Sequence, residues 1–220
     1  VLSYACEKNT NIEIINLLIE TGAIINAKDK IGQTPLFNAC KGIISPKVTE
    51  LLINKGAEIN IQDKYGNTPL HYACENKNNS KNIKLLSENG ANLDIRNRYG
   101  RTPLLKAYYE KNTPAVNLLL KSVNNINLKD SFGYTPLIYE TRNKNNFERI
   151  KFLIERGADI NIQSNSKETP LLNAIEFDST FQTAMYLIEN GADVNAEGSI
   201  PSVWWSGNPL QLACSKKNSE

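Results

Sequence analysis

The chain has 220 residues, 40% of them apolar and 22% charged, with a formal net charge of +2. That is enough chain for a sizeable core, and the balance excludes a disordered polymer. No apolar run approaches the roughly 18 residues of a spanning helix, no signal peptide opens the chain, and so small a charge argues against a protein built to neutralise phosphates.

Proline and glycine reveal the organisation. Five copies of Thr-Pro-Leu begin at Thr34, Thr68, Thr102, Thr135 and Thr169, and Asn208-Pro209-Leu210 is a sixth. The spacing is 33 or 34 residues, except for 39 at the last step. Gly32, Gly66, Gly100 and Gly133 stand two residues before the motif, and Gly207 stands one before it. Gly22, Gly56, Gly90, Gly157 and Gly191 each precede Ala. A period near 33 residues marks a stacked array.

Each unit reads as two helices and an excursion. Thr68 caps a short helix whose first residue is Pro69, where the missing N–H costs nothing. A second helix carries Ile83, Leu85 and Leu86 and stops at Gly90. The segment from Leu93 is extended and turns back at Gly100. Ser45-Pro46 and Thr113-Pro114 signal the starts of two other second helices, each a cap followed by proline. Pro201 alone of the nine prolines begins no helix.

The recurring Gly-x-Thr-Pro-Leu-x-x-Ala, then Leu-Leu, then Gly-Ala-x-Ile-Asn resembles the ankyrin-repeat family along the whole chain. The resemblance implies an all-α solenoid of stacked helix pairs with β-hairpin-like fingers. One domain over 1–220 is expected, with units near 1–33, 34–67, 68–101, 102–134, 135–168 and 169–207 and a partial unit at 208–220. Val1 in place of Met, and ends without a polar capping repeat, suggest about six repeats from within a longer array.

Cys6, Cys40, Cys74 and Cys214 each follow Ala at one phase. Equivalent residues of stacked repeats lie roughly 8–10 Å apart. That exceeds the roughly 7 Å a disulfide allows, so buried free thiols in a reducing, cytoplasmic compartment are expected. His71 and Cys74 lack the further ligands zinc needs. In the resembled family a His at this phase bonds the Thr-Pro-Leu turn. With one His and no phosphate-cradling loop, neither an enzyme, a metal, a cofactor nor a small-molecule substrate is indicated. Asp29, Asp63 and Asp130 recur where a short acceptor satisfies turn N–H groups.

Large apolar residues precede the turn glycine in four repeats: Ile31, Tyr65, Tyr99 and Phe132. They either pack on the neighbouring finger or anchor a partner. Lys28, Lys30, Lys64, Arg96, Arg98 and Arg101 interleave with them. Tyr72, Tyr109 and Tyr139 fall on or after first helices and are candidates for the concave face. Arginine among aromatics also suits single-stranded nucleic acid, but the net charge and the finger acids oppose it. Trp204 and Trp205 lie in an insertion of about five residues, where insertions often map to a binding face; covering the last finger is the alternative.

The resemblance implies a non-catalytic module that binds another protein, with a structural spacer as the alternative. It does not choose among adaptor, inhibitor, targeting module and scaffold. It also implies that Asn26, Asn60, Asn161 and Asn195 are either structural bridges or targets of an asparagine oxygenase.

Three departures cluster. Val123-Asn124 replaces Gly-Ala, so that helix must end differently, with Asn124 as its expected stop. Glu140 replaces the small residue of a close helix contact and needs a partner or a route to water. Lys167 replaces the turn glycine. Arg142 is too near in sequence to pair with Glu140, and Lys144 is the candidate. The segment from Val123 to Glu168 is therefore expected to open first.

Overall fold

The structure is a computed structural model that describes residues 1–8, 11–41, 46–143, 146–178 and 181–217. It divides into two compact units, Val1–Asn124 and Asn125–Glu220. Ser45 and Lys144 lie outside the described residues.

The first unit holds four helix pairs: α1 (Leu2–Glu7) with α2 (Ile12–Glu20), α3 (Pro35–Lys41) with α4 (Pro46–Asn54), α5 (Pro69–Ala73) with α6 (Ser80–Glu88), and α7 (Pro103–Tyr109) with α8 (Thr113–Leu119). The second holds α9 (Pro136–Thr141) with α10 (Phe147–Glu155) and α11 (Pro170–Phe177) with α12 (Gln182–Glu189). It continues through strands β1 (Gly198–Ile200) and β2 (Trp205–Gly207) to α13 (Pro209–Lys217). Within each unit first helices pack on first helices and second on second.

The core repeats with the sequence. Leu36, Leu70, Leu104, Leu137 and Leu171 are buried from the first helices, and Leu52, Leu86, Leu119, Leu153 and Leu187 from the second. Each such side chain stabilises by about 1.5–3 kcal/mol when fully buried. The helix starts follow from Thr-Pro. The hydroxyls of Thr102, Thr135 and Thr169 accept from the N–H of Leu105, Ile138 and Leu172 at 3.3, 3.4 and 3.2 Å. Two start signals shift. Asn112, not Thr113, caps α8 and accepts from Ala115 N–H at 3.1 Å. Pro201 opens a 3-10 turn over Pro201–Val203.

Second helices end on left-handed glycine, as at Gly90 with φ +90°, where Ala91 N–H reaches back to Leu86 C=O at 3.0 Å, the bond that closes such an end. The α8 end departs from this, but not at Asn124. The helix stops at Leu119, and Ser122 and Val123 N–H both return to Leu119 C=O, at 2.9 and 3.1 Å. Val123 takes no left-handed conformation and its side chain is buried. A β-branched residue is thus accommodated by shortening the helix, without a left-handed backbone.

Glu140 is wholly buried and paired. Its partner is Arg149 of α10: Nε donates to Oε1 at 2.6 Å and Nη2 to Oε2 at 3.2 Å. Arg149 Nη2 also donates to Asn146 Oδ1 at 2.6 Å. Arg142 does point away from Glu140, and pairs instead with the buried Glu168 at 2.9 Å. Lys167 keeps the turn that a glycine would make, at φ +61°.

Candidate functional site

The finger turns are built by one repeated device. Asp29 Oδ1 accepts from Ile31 and Gln33 N–H, Asp63 Oδ1 from Tyr65 and Asn67, and Asp130 Oδ1 from Phe132 and Tyr134, all at 2.9–3.0 Å. Asn97 does the same for Tyr99 and Arg101 at 3.0 and 3.1 Å. Successive fingers are tied by main chain. Lys64 N–H donates to Ile31 C=O and Arg98 N–H to Tyr65 C=O in the first unit, and Asn165 N–H to Phe132 C=O in the second, each at 2.9 Å. The residue before the turn glycine is therefore held by its carbonyl while its side chain projects from the tip.

Those side chains are substantially exposed: Tyr65 is 47%, Tyr99 57% and Phe132 55% accessible. Ile31 is half-buried. The ring contacts are local. Tyr99 faces the Arg101 guanidinium at 5.3 Å, and Phe132 lies 6.2 Å from Tyr134, two residues along.

Arg98 is exposed. Arg101, expected as a partner contact, is instead buried. Its guanidinium lies 3.4 Å from the centroid of the Tyr109 ring, so its charge is covered by the two exposed rings and serves to position Tyr99 and Tyr109.

Tyr72 and Tyr139 are half-buried, and their hydroxyls are occupied by one shared motif. Tyr72 donates to Asp63 Oδ2 at 2.7 Å and Tyr139 to Asp130 Oδ2 at 2.9 Å. Each joins its finger to its own first helix. Burial and the Asp63 carboxylate raise the Tyr72 phenol well above its ordinary range. The signal was present in sequence: an Asp at the finger phase with Tyr nine residues on occurs at these two places, while the other fingers carry other pairs, Asp29 with Asn38 and Asn97 with Lys106.

The two tryptophans separate. Trp205 pairs with Ile200 across the β1–β2 hairpin and packs on the core around Leu171 and Leu172. Trp204 is 97% exposed at the hairpin end, with φ +54°.

The asparagines bridge repeats. Asn26, Asn60 and Asn161 donate to Gly56, Gly90 and Gly191 C=O at 3.2, 3.0 and 3.1 Å. They accept from Glu58, Asn92 and Asp193 N–H at 2.8–2.9 Å. Asn127, which the sequence reading passed over because its repeat lacks Gly-Ala, makes the same bridge to Gly157 and Asp159. Asn195 is exposed, and its N–H donates to Asp193 Oδ1 at 2.8 Å. These bonds are what a structural asparagine at this phase would make.

His71 receives Thr68 N–H on Nδ1 at 3.1 Å, so Nε2 carries the proton and donates to Arg101 C=O at 3.0 Å. Burial lowers its pKa to about 4. This is the structural role the resemblance implied. Cys6, Cys40, Cys74 and Cys214 are all free thiols. The first three are buried, and burial pushes Cys6 up to about 11 and Cys40 up to about 12. Cys214 is exposed on α13, contrary to expectation, because α13 packs through Leu212 and leaves the Cys214 side uncovered. Among the described residues no cluster of His, Cys, Asp and Glu has the grouping of a metal site, and no helix is long and apolar enough to cross a membrane.

No curated protein matches the chain. A family model for ankyrin repeats, built of three copies, matches at residues 2–97, 77–164, 104–198 and 140–220. Ankyrin repeats generally serve as protein–protein interaction modules. Those matches together span nearly the whole chain, over which the helix pairs and the Thr-Pro-Leu starts recur, and the chain belongs to the ankyrin-repeat family.

Proposed function

We propose that the chain is a non-catalytic binding module that holds a protein partner against its finger tips, with Tyr65 and Tyr99 as the main anchors. The observation that carries this reading is the exposure of large rings at one phase, on backbone already fixed by main-chain bonds between fingers. Rigid aromatic side chains of this kind lose little entropy on binding and dominate interface energetics. Phe132 and Trp204 are secondary anchors of the second unit, and Arg98 and Ile31 flank those of the first. Arg101, Tyr72, Tyr139 and Trp205 support the surface from within. A spacer array would have its tip rings packed on one another; the contacts found for Tyr99 and Phe132 lie within their own fingers.

The test is affinity capture with the chain and with a Tyr65→Ala, Tyr99→Ala, Phe132→Ala variant that melts at the same temperature. Loss of specifically captured proteins is expected. An unchanged set of partners would overturn the finger-tip reading and favour the spacer.

A further inference from the structure

We infer that the occupant of the finger edge in the first compact unit is an acidic polypeptide segment with an apolar side chain at about every third residue. This rests on the finger-tip reading above and adds the chemistry of the partner. The first unit repeats a dyad three times: Lys30-Ile31, Lys64-Tyr65 and Arg98-Tyr99, each a cation followed by the tip residue. All three cations are exposed, and among the described residues none of them is in an ion pair. The acids at the finger phase bond their own turns. Asp29 Oδ1 accepts two turn N–H groups, Asp63 is buried with its Oδ2 on Tyr72, and the third finger has the uncharged Asn97 in that place. The cation and ring positions are mutually fixed, because the N–H of Lys64 and of Arg98 bonds the carbonyl of the preceding tip residue.

The second unit loses this device. Ser131 and Asn165 occupy the cation phase, and Ser166 occupies the ring phase after Phe132. The basic, apolar edge is thus a local property of three fingers and not a consequence of the repeat.

Spacing sets the period of the occupant. Stacked helices lie about 8–10 Å apart, and an extended polyproline II chain advances about 3.1 Å per residue with three residues per turn, so that every third side chain lies on one face. One finger therefore meets about three residues of an extended partner, whose carboxylates face the cations while its apolar side chains lie on Ile31, Tyr65 and Tyr99. A net charge of +2 over the whole chain favours this over a nucleic acid, whose binding would call on many more cations.

Fluorescence anisotropy on the whole chain tests it with four labelled probes of about a dozen residues or nucleotides. They are a repeat of Asp-Glu-Leu, its neutral counterpart Asn-Gln-Leu, the anchorless Asp-Glu-Ser, and single-stranded DNA. The Asp-Glu-Leu probe is expected to bind best and to weaken by about tenfold between about 50 and 500 mM salt. Tyr65→Ala or Tyr99→Ala should each weaken it by about tenfold or more, and Lys64→Ser with Arg98→Ser by a comparable factor. Equal binding of the neutral probe, still lost on Tyr65→Ala, would overturn the acidic partner and leave the finger-tip reading intact. Tighter binding of the DNA at the same residues would overturn both in favour of nucleic acid. Binding of no probe, or binding that none of these substitutions alters, would overturn the inference; if partner capture also survives the triple alanine variant, the finger-tip reading falls with it.

Discussion

Ala73 and Glu140 stand at the same phase of the repeat, each wholly buried against the second helix of its own pair. Around Ala73 the phase is filled by a small side chain, and Asn82 of the second helix donates to Asn79 Oδ1 at 2.7 Å and to Ala39 C=O of the preceding repeat at 3.4 Å. Around Glu140 it is closed by an ion pair with Arg149, which stands at the phase of Asn82. The same helix pair is therefore held in two ways, and the second works only because two facing positions changed together. Elsewhere the partner phase holds Val48, Ala115 or Thr183, none of which carries a cation to pair with a carboxylate.

The sharpest way to break the comparison is to remove one charge. Arg149→Ala leaves a wholly buried carboxylate without its cation, and breaking a buried pair costs about 3–5 kcal/mol. Glu140→Ala should cost less, about 2–4 kcal/mol, because Arg149 keeps about a quarter of its side chain in solvent and retains Asn146. Glu140→Ala with Arg149→Ala recreates the Ala107 and Ala115 combination of the preceding pair and should be more stable than either single variant. Denaturant unfolding of the four proteins checks this. A double variant as damaged as the sum of the singles would show that the pair is not coupled. Hydrogen exchange should locate the damage: in Arg149→Ala the amides of Leu137 to Thr141 lose protection while those of Leu70 to Cys74 keep it. In the native chain, two of the three reasons for expecting the segment from Val123 to Glu168 to open first have gone, since Glu140 is paired and Val123 is unstrained.

The first unit has its own buried titratable group, and pH separates it from the second. His71 is the only histidine. Its pKa in the fold, about 4, lies below the ordinary 6.5, so the unfolded chain binds the proton more readily. Stability from this group is complete above pH 6.5 and is lost as pH falls toward 4. Between pH 6.5 and pH 5, before most carboxylates titrate, the loss should reach about 2 kcal/mol. His71→Leu, the residue at this phase in Leu105 and Leu172, should be less stable at pH 7 but should lack this slope. Urea midpoints from pH 7 to pH 5 test it, and a parallel slope in both proteins would assign the titration elsewhere.

The Thr-Pro-Leu helix starts, the repeating leucines and the turn acids were legible because each depends on residues within one repeat, whereas the exposure of the tip rings stays open in the sequence because it depends on the neighbouring finger. What was not legible depends on contacts between elements. The Arg149 partner of Glu140 lies on the next helix, nine residues away and beyond the i, i+4 reach within one helix. Arg101 reads as a surface cation because sequence proximity to Tyr99 does not reveal that Tyr109 covers its guanidinium. Asn127 was passed over because its repeat lost the Gly-Ala landmark while keeping the bridge. Trp204 and Trp205 could not be separated until the register of the β1–β2 hairpin set one on the core and the other in solvent.

Two finger turns of the second unit offer the finest comparison. At Gly133, with φ +80°, an added Cβ would sit 2.7 Å from Asn165 N of the next finger. At the equivalent Lys167 the chain holds a full side chain at φ +61°. The close approach there has moved to the neighbour, since a Cβ on Gly198 would lie 2.5 Å from Lys167 C=O and 2.4 Å from Leu172 Cδ1. The strand bond has moved with it: Ser199 N–H donates to Lys167 C=O at 3.1 Å, one residue beyond the acceptor used at Phe132. A left-handed backbone costs an ordinary residue about 1–2 kcal/mol, and glycine gives back about 0.4–1 kcal/mol through its freer unfolded chain. Lys167→Gly should therefore stabilise the second unit by about 0.5–1 kcal/mol, whereas Gly133→Ala should destabilise it by more than that, because it adds a clash with fixed backbone to the same strain. Thermal unfolding of the two variants distinguishes the cases. If Lys167→Gly is destabilising, the lysine side chain contributes more to that turn than its backbone conformation costs, and the two turns differ in what holds them and not only in where the glycine sits.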